Sequence, residues 1–292
     1  MGVARKKTYY YFILPSFLTI LLLAVYPVFH CVYLSLHTID LKLPHVGQVF
    51  VGIQNYRYLT GDGRMWRALS NTFLFTGGSV ALELLLGLGI ALLMHRRFRG
   101  RGLFRASVLV PWAIPTVVAG MMWAWIYHDQ YGVFNYLLTK LGVVDGYIAW
   151  LGTTKTAMFS LILADVWKTT PFMALLLLAG LQMIPHELYE AAKIDGAGCF
   201  ARFSRITLPL LRSTILVALL FRTMDAFRIF DLVFVLTHGG PGNSTETMSL
   251  YGYKYLFSYL EFGYGSALAV VTFLWVGLIS TVYILVIRRI GR

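Results

Sequence analysis

Apolar residues along this chain gather into six long runs, over approximately 11–36, 68–94, 106–127, 157–183, 213–236 and 266–287. A helix needs about 20 predominantly apolar residues to cross the hydrocarbon core of a bilayer, and each run reaches that length. None alternates apolar and polar residues with the two-residue period of a barrel strand. A helix satisfies its own backbone hydrogen bonds, as lipid demands of a spanning segment. The pattern predicts an all-α polytopic membrane protein of six transmembrane helices, in one domain over residues 1–292 without a tandem repeat. The first run is too long for a cleaved signal peptide and lacks a small-x-small pattern behind it, so it is expected to remain as a membrane helix.

The polar intervals add structure of their own. Val133 to Leu141 reads as a short amphipathic helix at the outer interface, beside Trp150. Gly239-Gly240-Pro241-Gly242 must turn sharply, because three glycines and a proline cannot continue a helix. Pro111 and Pro115 in the third run admit two readings, kinks within a span or a helix start near the membrane surface.

Basic residues fix an orientation. Arg5, Lys6 and Lys7 precede the first run; Arg96, Arg97, Arg99, Arg101 and Arg105 fill the link between the second and third. Lys193, Arg202, Arg205 and Arg212 lie between the fourth and fifth, and Arg288, Arg289 and Arg292 follow the sixth. Only Lys42, Arg57, Arg64, Arg67, Lys140, Lys155 and Lys254 lie on the opposite side. The positive-inside rule therefore predicts that both termini are cytoplasmic. Composition agrees: 13% of residues are charged and 58% hydrophobic, where a soluble domain carries about 25% charged residues. The net charge of +12 is spread over these loop clusters, with no basic–aromatic face for nucleic acid. Cys31 and Cys199 are expected at different membrane levels, so neither a disulfide nor a metal site is implied.

One basic loop stands out. It runs Ile184-Pro185-His186-Glu187-Leu188-Tyr189-Glu190-Ala191-Ala192-Lys193-Ile194-Asp195-Gly196-Ala197. Pro185 suits a helix's first turn, Glu187 and Glu190 favour its N-terminal half, and Gly196 provides a break. A second short segment leads through Arg202 and Arg205 to Ile206, Leu208 and Pro209. Small alanines on a compact exposed helix suit close approach to a partner's cleft. The spacing Glu190-Ala191-Ala192, Gly196, then Ile206-x-Leu208-Pro209 resembles the EAA signature of binding-protein-dependent ABC importer permeases.

The resemblance covers nearly the whole chain. Phe50-Val51-Gly52-Ile53-Gln54-Asn55-Tyr56, Arg101-Gly102-Leu103-Phe104-Arg105, Pro111-Trp112-Ala113-Ile114-Pro115, Leu236 to Gly242 and Gly263-Tyr264-Gly265-Ser266-Ala267 are similar to motifs of sugar-type permeases. It implies the type I importer permease fold in the inner (cytoplasmic) membrane, with 185–209 as the loop that couples to the ATPase. Its coupling residues would be Glu187, Glu190, Ala191, Ala192, Asp195, Gly196, Leu208 and Pro209. The implied partners are a second permease subunit forming a heterodimer, two ATPase subunits, an extracytoplasmic sugar-binding protein and the bilayer. ATP and Mg would be bound by those ATPase subunits, since this chain has no Gly-x4-Gly-Lys-Ser/Thr loop. No cofactor, catalytic residue or metal ligand is expected here.

Seven ionisable residues fall within the runs: Glu83, Asp165, Lys168, Arg222, Asp225, Arg228 and Asp231. Each costs about 2.5–3.5 kcal/mol at the centre of an isolated span, so they must face the bundle interior, a wet cavity or one another. Arg222, Asp225, Arg228 and Asp231 alternate in sign at spacing three and can pair in succession. At about 100° per residue they fan over half a helix rather than forming one stripe. Asp165 and Lys168 share that spacing ahead of Thr169, Thr170 and Pro171, where a kink is permitted. Two readings stand: groups lining an aqueous translocation cavity, or interhelical ion pairs. Sugar hydroxyls would bind Asp, Arg and Thr, with Trp167 and Phe230 against the ring. The resemblance implies substrate contacts from the last three spans. The cavity candidates are Asp165, Trp167, Thr169, Arg222, Asp225, Arg228, Phe230 and Tyr264, with Glu83 read as structural. Three basic against four acidic groups favour an uncharged sugar, and the resemblance suggests trehalose or maltose. The alternative is an ion-coupled secondary transporter using the same carboxylates.

Overall fold

The computed structural model describes residues 12–43, 45 and 47–290. Arg5, Lys6, Lys7 and Arg292 lie outside the described residues, as does the start of the first apolar run. Among the described residues, five helices are long and apolar enough to cross a membrane: Phe12–Ser35, Gly63–His95, Thr154–Gln182, Cys199–Phe227 and Phe262–Arg289. A sixth crossing is made if the pair Arg101–Ala113 and Thr116–Ile126, bent by 94°, counts as one. We number them spans 1 to 6 in chain order, with the bent pair as span 3.

The chain groups into two compact units. The first comprises Met1–Met65 with Tyr251–Leu274, the second Trp66–Leu250 with Trp275–Arg292. In the first, span 1 leads into a small antiparallel hairpin, His37–Thr38 against Val49–Phe50. Buried Asn55 ties the hairpin down, donating to the carbonyls of Ser35 at 2.8 Å and His37 at 3.0 Å. None of span 1's apolar window is buried among the described residues.

Span 4 is the axis of the second unit. Its Met173, Ala174, Leu177 and Leu181 pack with Ala91 and Met94 of span 2 and Leu211 and Ala218 of span 5, all fully or almost fully buried. Small residues let these backbones approach, as membrane helices require where lipid offers no hydrophobic drive to pack. At Gly180 a Cβ would stand 2.5 Å from Thr214 Oγ1, so only glycine permits this crossing of spans 4 and 5. Leu85, Leu86 and Phe221 point outward and are exposed, an arrangement suited to hydrocarbon as the surrounding solvent.

Two spans depart from the sequence expectation. The run 106–127 is not one straight helix: Pro115 bars Ile114 from the helical region, and Ile114 sits at φ −73°, ψ 131°. Pro111 stays inside the first helix of the pair. The run 213–236 is broken as well. Its helix ends at Phe227, and a short helix, Asp231–Leu236, follows an unwound stretch. At its other end span 5 begins early, because Cys199–Arg202 continues through a π-turn at Phe203–Thr207 into Leu208. Span 4 passes Pro171 as one continuous helix. The outer helix forms at Val133–Lys140, where buried Asn135 accepts the Trp150 indole N–H at 2.8 Å. Residues 239–242 form the expected turn, with a cis Gly240–Pro241 bond.

Candidate functional site: a charged cavity and an exposed loop

Arg222 organises the polar interior of the second unit. It is 1% exposed and held by carboxylates from three spans. Nε donates to Glu83 Oε2 at 2.5 Å and Nη2 to Glu83 Oε1 at 2.9 Å. Nη2 also donates to Asp165 Oδ2 at 2.5 Å, and Nη1 to Asp225 Oδ2 at 2.8 Å. The Thr169 hydroxyl donates to Glu83 Oε1 at 2.8 Å. Burying charge costs several kcal/mol per ion, and a bidentate guanidinium–carboxylate pair with its remaining lone pairs satisfied is the geometry that repays it. Glu83 is thus the anchor that fixes Arg222. Of the three expected pairings along span 5, only Arg222–Asp225 is made among the described residues. The helix ends at Phe227, so Arg228 and Asp231 lose helical spacing; Arg228 Nε donates instead to the Met224 carbonyl at 3.1 Å.

Beside this cluster lies a cavity of about 340 Å³, lined by Trp112, Thr116, Asp165, Lys168, Thr169, Asp225, Arg228, Ile229, Phe230 and Asp231. Both breaks in regular helix face it. The bend of span 3 supplies Trp112 and Thr116, and the unwound stretch of span 5 supplies Arg228, Ile229 and Phe230. Non-helical backbone at membrane depth is tolerated where it lines a cavity. Asp225 is the open face of the cluster, its side chain 69% exposed, whereas that of Asp165 is 3% exposed.

Among the residues nominated from sequence, Asp165, Thr169, Asp225, Arg228 and Phe230 line this cavity. Arg222 stands behind its wall. Trp167 is not in the lining and packs edge-on against Trp123. Tyr264 belongs to the first unit, where its hydroxyl donates to Asp62 at 2.6 Å. The sequence does not mark Trp112, Thr116 or Ile229 as lining, and it marks Lys168 and Asp231 only as intramembrane charges. The proline pair flanking Trp112 was the available signal.

The loop 185–209 is a helix, a left-handed turn and a second helix. Pro185 caps His186–Ile194, and His186 Nδ1 lies 3.1 Å from Glu190 Oε1. Gly196 adopts φ +77°, and the Ala197 amide then donates to the Ala192 carbonyl at 2.8 Å. The Asp195 amide donates to the Ala191 carbonyl at 3.0 Å. This is the helix-ending turn that an achiral residue permits. Tyr189 and Thr207 hydroxyls, 3.0 Å apart, tie the first helix to the start of span 5, where Leu208 and Pro209 resume α-helix. No residue of His186–Ile194 is buried, Glu187 included. Ile194 is 87% exposed and Phe200 82%.

Comparison with known proteins bears on both features. A family model described as "Binding-protein-dependent transport system inner membrane component" matches residues 83–292, which include the cavity lining and the loop. The trehalose/maltose transport system permease protein MalF of Thermococcus litoralis is 45% identical over 288 residues, 99% of this chain and 95% of that protein. The sulfoquinovosyl glycerol transport system permease protein SmoG of Agrobacterium fabrum is 43% identical, covering 94% of this chain and 88% of its own length. The fold matches a crystal structure of a bacterial ABC transporter involved in import of the acidic polysaccharide alginate. The TM-score is 0.83 at 22% identity, covering 99% of this chain and 98% of that one.

Proposed function

This chain belongs to the family of binding-protein-dependent transport system inner membrane components, and from that premise we propose that it builds half of the pathway of an ATP-driven importer for a neutral sugar. The observation that carries the reading is the coincidence of two helix breaks on one cavity of mixed charge and aromatic lining. A volume of about 340 Å³ falls within the range of small-ligand sites, about 300–1,000 Å³. Trp112 and Phe230 offer faces for a sugar ring, and Asp225, Thr116 and Thr169 offer partners for its hydroxyls.

Charge narrows the cargo. Asp165, Asp225 and Asp231 outnumber Lys168 and Arg228 in the lining, so an anionic sugar would meet a surplus of like charge. A neutral disaccharide such as trehalose or maltose suits the lining better, in keeping with the cargo that the Thermococcus litoralis relative's name carries.

In this reading a second permease completes the pathway as a heterodimer, and an extracytoplasmic binding protein delivers the sugar. Two ATPase subunits bind ATP and Mg and receive the loop helix His186–Ile194, with its bared Ile194. Both termini then lie in the cytoplasm, on the side where the basic clusters sit. ATP-driven closure of the ATPases moves that helix and turns the cavity from inward- to outward-facing. The test is uptake of radiolabelled trehalose, maltose and a sulfonated sugar by the complete transporter in proteoliposomes. ATP-dependent uptake of a neutral disaccharide that Glu190→Lys abolishes is the expected result. Uptake without ATPase subunits that a protonophore stops would favour ion coupling, and preferential uptake of the sulfonated sugar would overturn the neutral-cargo reading.

A further inference from the structure

A second cavity lies at the basic end of the second unit, far larger than the first at about 760 Å³. The ends of spans 2 and 4, the loop helix and the start of span 5 line it. Its basic lining consists of His95, Arg96, His186, Lys193 and Arg202, and among the described residues no carboxylate is part of it. Of the loop's acidic side chains, Glu190 pairs with His186 and is 62% exposed, and Glu187 and Asp195 are exposed. Arg202 Nε is buried and meets no hydrogen-bond partner. Arg96 and Lys193 are exposed and Arg202 is half-buried, so three permanent cations gather around one open cavity with no carboxylate in its lining, and like charges so placed favour a bound anion.

Tyr189, Cys199 and Thr207 also line it, and Leu92, Leu181, Phe200 and Phe203 supply an apolar wall. A ligand complementary to both halves carries a negative head and a hydrocarbon tail. Depth agrees, since Leu92, His95 and Arg96 mark the end of span 2, where a headgroup layer meets the hydrocarbon core. Basic pockets between membrane helices on the cytoplasmic side are general sites for acidic headgroups.

We propose that this cavity binds a phosphate ester, in the form of an anionic phospholipid whose phosphate lies among Arg96, Lys193 and Arg202 and whose acyl chain follows the Phe200–Leu181 wall. Bound there, the lipid braces the loop helix, through Lys193, against the ends of spans 2 and 4. The site consists of this chain's own residues and does not depend on which cargo is carried.

The test uses the complete transporter in nanodiscs that mix phosphatidylcholine with phosphatidylglycerol. Native mass spectrometry after release should find phosphatidylglycerol retained on the wild type, and about tenfold less of it on the variant Arg96→Gln/Arg202→Gln. A photoactivatable phosphatidylglycerol, applied to the unmodified transporter, should label peptides containing Phe200 or Leu92, a readout independent of how the variant folds. Equal retention by wild type and variant would overturn the site, as would labelling confined to other segments. Displacement by millimolar glycerol phosphate would overturn the lipid and leave a soluble phosphate ester as occupant.

Discussion

At the scale of single residues, Arg222 carries the heaviest consequence, because its four N–H···O contacts are all to carboxylates and two of those carboxylates are themselves buried. Arg222→Gln would leave Glu83 and Asp165 facing each other without a cation. Breaking a buried ion pair in this way costs about 3–5 kcal/mol, so the purified protein should unfold at a clearly lower temperature. An unchanged midpoint would mean the cluster is not held as described. Glu83→Gln combined with Arg222→Gln should cost less than the two separate losses added, since residues in one network are coupled. Asp62 offers a test outside the spans. Its burial raises the carboxyl's proton affinity, but hydroxyls of Tyr251 and Tyr264 and the amides of Arg64 and Met65 more than offset this, holding it below the usual carboxylate range. A depressed folded value contributes stability that is complete above the unfolded value of about 3.9 and lost as pH falls through the folded one. The thermal midpoint should therefore drop between pH 5 and acid more steeply in the wild type than in Asp62→Asn. Parallel profiles would remove Asp62 from that account.

At the scale of elements, the loop's turn and the two broken spans differ in how plainly the sequence announces them. Gly196 is the simplest case. A Cβ there would meet nothing within 4 Å, so its requirement is conformational, at φ +77°. Left-handed backbone costs about 1–2 kcal/mol for ordinary L residues, and asparagine is among the few that visit it readily. Gly196→Asn should keep ATP-driven uptake near wild type, while Gly196→Val should reduce it and weaken co-purification of the ATPase. Equal behaviour of the two would show that the turn's shape is not what matters. Pro185 and Gly196 made this loop legible, and Pro115 made a bend in span 3 one of two open readings. The sequence does not announce the unwinding at Arg228–Phe230, because neither proline nor glycine marks it within the run 213–236. Tertiary bonds hold it instead: the Thr247 hydroxyl donates to the Ile229 carbonyl at 3.1 Å, eighteen positions away in sequence. Glu83 is the same kind of case. Its partner Arg222 lies 139 positions away, beyond any periodicity, so the sequence offers a structural reading of the charge and no partner for it.

At the scale of the whole molecule, the question is how one chain can hold a charged interior in lipid and still, as proposed, offer a sugar something to bind. The two tasks are divided between the faces of one cluster. Glu83 and Arg222, with the nearly buried Asp165 at the wall, bear the cost of burial, while Asp225 and the breaks in spans 3 and 5 open the outer face to the cavity. Substitutions on the two faces should then separate stability from transport. Asp225→Asn removes a carboxylate whose side chain is 69% exposed, and ion pairs that open to solvent contribute only about 0–1 kcal/mol. Its loss should barely move the unfolding midpoint. A hydrogen bond from a sugar hydroxyl to a charged acceptor is worth about 1.5–3 kcal/mol, so the same change should raise the KM for transported sugar by roughly 10- to 100-fold. Glu83→Gln should show the opposite pattern, a lowered midpoint with KM changed little in the protein that remains folded. Parallel measurement of both variants, by thermal unfolding and by uptake at graded sugar concentration, decides the matter. If Asp225→Asn unfolds early at an unaltered KM, the cavity face is structural and the cargo binds elsewhere on the pathway.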